Sequence, residues 1–255
     1  MLRSCVNNGG APSRICTPER LSLESEVELC DPEMIRALET WQTRCGEIIT
    51  LADGAGEFYR ARVKHRDERC IRLIPFERIC NPESPVEIHV YQALPQKERF
   101  EWILQKLTEI GVTRIVPFTS ERSISLRERD AYQGKSHRWP EVVRKAACQC
   151  RRAQIPELYP VMSWSEILSE VQDVDVRILL AEQGGSWSMH AALNMSRLAQ
   201  VAVVVGPEGG FSVREIDRAQ QHGILPVTLG ARILRTETAA IVGATLIQGL
   251  AGDYV

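Results

Sequence analysis

The side chains best placed to do chemistry are Arg232, Arg235 and Glu237, set within the segment Leu229-Gly-Ala-Arg-Ile-Leu-Arg-Thr-Glu-Thr-Ala239. Shortly before them runs Val201-Ala-Val-Val-Val-Gly-Pro-Glu-Gly-Gly-Phe-Ser212. A cation and a carboxylate beside bare glycine backbone can bind a small ligand. They can also take a proton from it, or stabilise the anion left behind. Charges near a helix start are otherwise surface features, and their closeness to a glycine turn is what points to a site.

The elements that must position these residues follow from the pattern. Val201, Val203, Val204 and Val205 form an unbroken β-branched run, as in a strand buried on both faces. Gly206, Gly209 and Gly210 permit positive φ or close approach of a ligand. Ser212 and Glu215 form a capping box that opens a helix, and Gly223 closes it. Taken alone, such a turn is equally a ligand-free connector.

The turn fits neither common nucleotide motif. Gly206-Pro-Glu-Gly-Gly lacks the G-x-G-x-x-G spacing of a dinucleotide site, and it has no lysine for a P-loop. Glu208 would repel a phosphate from the helix amino terminus. A ligand with a cationic centre, or a neutral nucleoside body, suits the charge better. Beyond the turn, Val227 to Leu229 reads as a strand ended by Gly230. Ala239 to Leu250 reads as a helix apolar nearly all round, and so buried in the sheet or a subunit interface. Thr236 or Thr238 is a candidate cap for it. Two glycine turns at the carboxyl edge of a parallel sheet make a pocket.

The middle of the chain supplies scaffold. Phe100, Ile103, Leu104, Leu107 and Ile110 have helical spacing, with Gly111 as the stop. Val112 to Phe118 is a strand leading into Ser120-Glu-Arg-Ser123, where Arg122 is either a salt-bridged structural residue or a contact to a bound partner. A further helix starts at Arg138-Trp-Pro140, with Val142, Val143, Ala146, Ala147 and Cys150 facing inward. It also carries Arg144, Lys145, Arg151 and Arg152. Val176 to Ala181 is a buried strand whose end, Leu180-Ala181-Glu182, forms a third wall of the pocket.

The first eighty residues differ. Glu47 to Leu51, Phe58 to Val63 and Cys70 to Ile74 read as short strands, with Asp53-Gly54 as a turn. The stretch from Asn7 to Pro18 is polar and turn-rich and reads as a disordered insertion. Cys80-Asn-Pro-Glu-Ser-Pro85 breaks both periodicities, and Val86 to Leu94 begins a new strand. The division is a β-rich domain over 1–80, a linker over 81–85 and an α/β domain over 86–255.

Composition sets the bounds. With 31 Lys and Arg against 33 Asp and Glu in 255 residues, bulk charge does not announce a nucleic-acid partner, and RNA would need a local basic patch. The sequence shows neither a leader-like segment nor an apolar run of bilayer length, so a cytoplasmic protein without a membrane partner is expected. The eight cysteines include no Cys-x-x-Cys pair. Reduced structural thiols are expected from them, and no metal site.

Four motifs, Gly206-Pro-Glu-Gly-Gly-Phe-Ser, Leu229-Gly-Ala-Arg-Ile-Leu-Arg-Thr-Glu-Thr-Ala, Gln105-Lys-Leu-Thr-Glu-Ile-Gly-Val and Ser120-Glu-Arg-Ser, occur together and in order. Jointly they resemble the RsmE family, the 16S ribosomal RNA (uracil-N3)-methyltransferases of the SPOUT class, over about residues 86 to 250. The resemblance implies a trefoil-knotted α/β methyltransferase domain behind a small PUA-like β-barrel that binds RNA. It implies S-adenosyl-L-methionine as cofactor, a homodimer, and 16S rRNA in an assembled or nearly assembled small subunit as partner. Carried onto this chain, the donor would lie on Leu180, Ala181, Gly206, Pro207, Glu208, Gly209, Gly210, Leu229, Gly230, Ile233, Leu234, Thr238 and Ala239. Arg235 would stabilise the uracil anion, and Glu237 would be either a base or a partner of Arg235. Arg122, Gln149, Arg152 and Arg232 would contact RNA. Gln149 and Arg152 match the family's Glu-Gln-x-Gly-Arg motif, with Cys148 and Arg151 replacing its acid and its glycine.

This chain departs from the family in the front domain. Met34-Ile-Arg-Ala-Leu-Glu-Thr-Trp-Gln-Thr-Arg44 stands where members carry a His-His pair and a Val-Leu-Arg segment. Other readings are an RNA-binding assembly protein with a non-catalytic knot, a knot enzyme for another RNA nucleotide, and a small-molecule enzyme with a nucleotide pocket.

Overall fold

The computed structural model describes residues 13–95, 99–125, 127, 136–182, 187–194 and 198–254. Residues 7–12 of the expected disordered insertion lie outside these. Residues 13–18 do not behave as an insertion: Ser13, Ile15 and Thr17 are buried, and Cys16 bridges to Ala52. Two compact units emerge, an amino-terminal one of residues 10–83 with 144–155, and a carboxyl-terminal one built from 84–143 and 156–255. A division at 81–85 therefore misses residues 144–155, which group with the amino-terminal unit.

The amino-terminal unit is a four-stranded antiparallel sheet with one helix. Strands β1 (Val27–Leu29), β2 (Ile48–Ala52), β3 (Phe58–Arg66) and β4 (Ile71–Ile79) pair in the order β1-β4-β3-β2. Asp53 organises the β2–β3 turn, accepting the backbone N–H groups of Leu21, Ala55 and Glu57. Helix α1 (Pro32–Trp41) occupies the segment where the family pattern is missing. Asp31 caps it, accepting from the Glu33 and Met34 N–H groups at 3.0 and 2.8 Å, and Pro32 suits its first turn. The apolar face of α1 buries Met34, Ile35, Leu38 and Trp41.

Two expectations change in this unit. Cys30 and Cys70 continue the β1–β4 register beyond Leu29 and Ile71, and they are joined by a disulfide rather than reduced. Arg152 is buried at 5% exposure, with its Nη2 2.6 Å from Glu83 Oε2. The other Glu83 oxygen accepts the N–H groups of Ala153 and Gln154. Arg152 therefore pins residues 151–155 within the amino-terminal unit and presents no surface to a phosphate.

The carboxyl-terminal unit is a parallel sheet flanked by helices. Its strands are β5 (Glu87–Ala93), β6 (Arg114–Thr119), β7 (Glu157–Leu158), β8 (Met162–Ser163), β9 (Val176–Leu180), β10 (Trp187–Ser188), β11 (Gln200–Val205) and β12 (Leu225–Thr228). They pair in the order β10-β12-β9-β11-β5-β6-β7, with β8 beside β6. The valine run forms β11 between β9 and β5, and Val201 to Val205 are at most 1% exposed. Helix α2 (Arg99–Ile110) buries Phe100, Ile103, Leu104 and Leu107, as their spacing predicts.

The other helices of this unit are α4 (Trp164–Glu170), α5 (Met189–Leu193), α6 (Val213–Gln221) and α7 (Thr236–Ala251); between the units' segments runs α3 (Trp139–Gln149). The apolar helix α7 begins three residues before Ala239 and packs on α2, β5 and β11. Neither threonine caps it. Arg235 takes the N-cap position without a side-chain bond to the backbone. Among the described residues, no helix is long and apolar enough to cross a membrane.

Candidate active site

All sheet pairings of the carboxyl-terminal unit are parallel, so β5, β9, β11 and β12 end at one edge. Strand β11 lies between β9 and β5, so successive connections leave the middle of the sheet in opposite directions. Such a reversal opens a crevice beyond the strand ends. Here it holds a cavity of about 780 Å³. Its walls include Leu180, Ala181, Gly206, Pro207, Glu208, Gly209, Gly210, Leu229, Gly230, Ile233, Leu234 and Ala239. Of the expected donor-binding residues, Thr238 alone is not among them.

Each turn glycine has its own geometric reason. Gly210 has φ +66°, a side chain at Gly206 would meet the Phe211 ring at 3.0 Å, and one at Gly209 would meet Arg122 at 3.3 Å. The capping box forms as the sequence indicates, and Glu215 does more than cap. One of its carboxylate oxygens accepts the Ser212 N–H and the other the Glu121 N–H, each at 2.9 Å. Arg122 Nη1 donates to the Gly209 carbonyl at 2.8 Å. The loop after β6 is thus fastened to the glycine turn, and part of Arg122 is committed to that work.

The charged groups are placed unequally. Arg232 and Arg235 line the cavity, both exposed, and neither makes an ion pair among the described residues. Glu237 is buried at 9% and does not pair with Arg235. Its cation is Arg99, whose Nη1 lies 3.8 Å from Glu237 Oε2 and 3.5 Å from Glu208 Oε1. Gln149 is exposed and groups with the amino-terminal unit.

These features fit a nucleoside carrying a cation. The cavity combines backbone at both glycine turns, apolar walls from Leu180, Val205 and Leu234, and carboxylates at Glu182, Glu208 and Asp217, and no lysine lines it among the described residues. The RNA methyltransferase domain family matches residues 82–248. Ribosomal RNA small subunit methyltransferase E of Bacillus subtilis is 31% identical over 66% of this chain and 68% of its own length. The chain belongs to that family.

The family match extends to the amino-terminal unit. The enzyme of the same name from the Buchnera aphidicola of Acyrthosiphon pisum is 27% identical over 98% of each chain. Among solved structures, the Neisseria gonorrhoeae family member bound to S-adenosyl methionine has a TM-score of 0.67 at 32% identity, covering 95% of this chain and 99% of its own. A putative methyltransferase from Legionella pneumophila, in complex with the same cofactor, gives 0.64 at 31%, over 94% and 98%.

Sequence reasoning missed Arg99 and Thr236, which line the cavity, and Gln92, which is buried behind it and donates to the Thr236 hydroxyl. Nothing local marks Arg99, because its partners Glu208 and Glu237 are more than a hundred positions away. Gln92 did carry a signal: a glutamine inside an apolar parallel strand has to find buried partners.

Proposed function

We propose that the protein transfers a methyl group from S-adenosyl-L-methionine to N3 of a uracil in 16S ribosomal RNA. The observation that carries this reading is the cavity at the carboxyl edge. In a chain of this family, it brings the glycine turn to one space with Arg235, which has no ion pair among the described residues. When bound, the donor supplies an electrophilic methyl group on a cationic sulfur. Leu180, Ala181, Gly206 to Gly210 and Leu229 to Leu234 would hold it. Ile233 and Leu234 would take the adenine, and Glu208 the cationic part.

The protein's own task is to bring uracil N3 into line and to favour its deprotonated form. Uracil N3 is a weak acid, and Arg235 would stabilise the anion electrostatically. Alignment of the two reactants would supply much of the acceleration. Glu237 is shielded and held by Arg99, which supports a structural role at the helix start over that of a base. Arg122, Arg232 and Gln149 remain the proposed RNA contacts, and burial removes Arg152 from that set.

The finer architecture belongs to the same reading. We infer a trefoil-knotted SPOUT domain, supported by the insertion of β11 between β9 and β5. A PUA-like barrel would complete the amino-terminal sheet. The homodimer would use α7, where Leu246 and Leu250 are 38% and 47% exposed. The enzyme would work in the cytoplasm on an assembled or nearly assembled small subunit.

Mapping N3-methyluridine in 16S rRNA from cells with and without the gene tests the reading. The modification should vanish with the gene and return with its re-expression. An unchanged rRNA would overturn the assignment, and loss of a different methylated nucleotide would move the activity to that position.

A further inference from the structure

A chain of buried polar groups beside the cavity has no part in the chemistry above. Gln92, near the end of β5, is fully enclosed at 0% exposure. Its amide nitrogen donates to the Ala93 carbonyl at 2.9 Å and to the Thr236 hydroxyl at 3.0 Å. The carbonyl fixes the orientation of the amide, since its oxygen would otherwise face another oxygen. Having accepted from Gln92, the Thr236 hydroxyl turns its own hydrogen to the carbonyl of Gly206. The chain therefore runs one way, from β5 through the start of α7 to the first residue of the glycine turn.

Two further observations give this chain its meaning. Thr236 follows Arg235 directly and is the first residue of α7, a helix without a side-chain cap. A threonine there commonly serves local backbone, yet this one reaches across to Gly206. Gly206 is also hemmed in by the Phe211 ring, so the turn cannot slide without losing contacts on two sides. Moreover, the structure keeps Gln92 although its Oε1 is buried without a hydrogen-bond partner among the described residues, a costly arrangement for packing alone.

We propose that Gln92 and Thr236 are positioning residues for methyl transfer. They hold the donor-binding turn in register with Arg235, which stands next to Thr236 in the chain. This rests on the methyltransferase reading above. Neither residue exchanges a proton with the substrate. Their effect is geometric, and in-line transfer is sensitive to displacements of about 1 Å.

Three substitutions separate this role from packing. Thr236→Val keeps the shape and removes the hydroxyl, Thr236→Ser keeps the hydroxyl, and Gln92→Met removes the amide at similar length. In the ligand-free protein, amide hydrogen exchange over residues 206–210 should speed up roughly tenfold or more in T236V and Q92M, but not in T236S. Turnover at saturating donor should fall ~10- to 100-fold in the first two, with RNA affinity unchanged. The T236V/Q92M double variant should be no slower than the slower single one, because both break one chain.

Exchange and turnover at wild-type levels in T236V would overturn the proposal. So would losses that multiply in the double variant, or a T236S protein as impaired as T236V with a matching fall in melting temperature. A wild-type protein that makes no N3-methyluridine would sink the activity reading instead. The exchange measurement would still be readable in that case, because it needs neither donor nor RNA.

Discussion

The two edges of the parallel sheet carry similar side chains and use them in opposite ways. At the carboxyl edge, Arg232 and Arg235 stand exposed around the cavity without ion pairs among the described residues. At the amino edge, Arg114 opens β6 and is held by several partners. Its Nε lies 3.2 Å from Glu157 and its Nη1 3.4 Å from Glu170, and its guanidinium sits 4.9 Å over the Tyr159 ring. His89 beside it is 3% exposed, and burial followed by the Arg114 charge pushes its imidazole below the ordinary value. Two carboxylates and an aromatic ring tie this arginine into the fold. At the carboxyl edge Arg99 and Arg122 are engaged too, whereas Arg232 and Arg235 line the cavity without an ion pair among the described residues.

Arg235→Ala tests that contrast most severely. Methylation at saturating donor should fall ~100- to 1000-fold, as when one preorganised stabiliser of a developing anion is removed. Calorimetric donor affinity and the melting temperature should stay put. Near-normal turnover would show that the unpaired cation is idle and erase the distinction.

Next in size is Arg114→Met, which leaves Glu157, Glu170 and Tyr159 without their common partner. Denaturant unfolding should show a loss of about 2 kcal/mol, the scale for stranding half-buried charges. Donor affinity per folded molecule should be unaffected. A variant with normal stability and weakened donor binding would mean that the two edges are not separate in function.

Arg99→Gln probes the borderline case, since Arg99 is partly exposed and shared by Glu208 and Glu237 at 3.5 and 3.8 Å. Without it Glu208 loses one cation at the cavity wall and the buried Glu237 loses its ion-pair partner. Preference for the cationic donor over its neutral demethylated product should rise ~3- to 10-fold by competition calorimetry, as expected for one charge in a partly solvated site. A constant ratio would place Glu208 too far from the cationic sulfur to matter.

The smallest effect should come from His89→Gln, read as stability against pH. The folded imidazole binds its proton at lower pH than the unfolded one, whose reference value is 6.5. Below that value the unfolded chain takes up the proton first, so wild-type stability declines as pH falls. The variant should lose this part of the slope, and identical slopes would show that His89 does not contribute. The groups that tune it are Arg114, Glu87 and Glu157, and Arg114→Met should weaken the effect as well.

Local patterns announced much of this molecule. The valine run, the capping box at Ser212 and Glu215, and the periodic helix from Phe100 are each decided by neighbours a few positions apart, and all three form. The cap of α7 was misread because threonines in the first turn resemble caps, whereas Thr236 is drawn off to Gly206. Residues 144–155 were read with the wrong unit because the Glu83–Arg152 pair that holds them joins positions 69 apart. The Cys30–Cys70 disulfide was equally invisible. It depends on β1 and β4 pairing in register, which no cysteine spacing reveals.

The sequence by itself determined the kind of site: two glycine turns after buried strands, rejection of phosphate by Glu208 and the missing lysine, and a cation in the second loop. These are properties of backbone freedom and charge within a few residues. Only the tertiary structure decided which charges are available. Arg235, Arg152 and Arg114 look alike in the chain, yet among the described residues the first has no ion pair, the second is sealed on Glu83 and the third is shared between Glu157 and Glu170 at the far edge. Pairing depends on distances between segments remote in sequence, which packing alone sets.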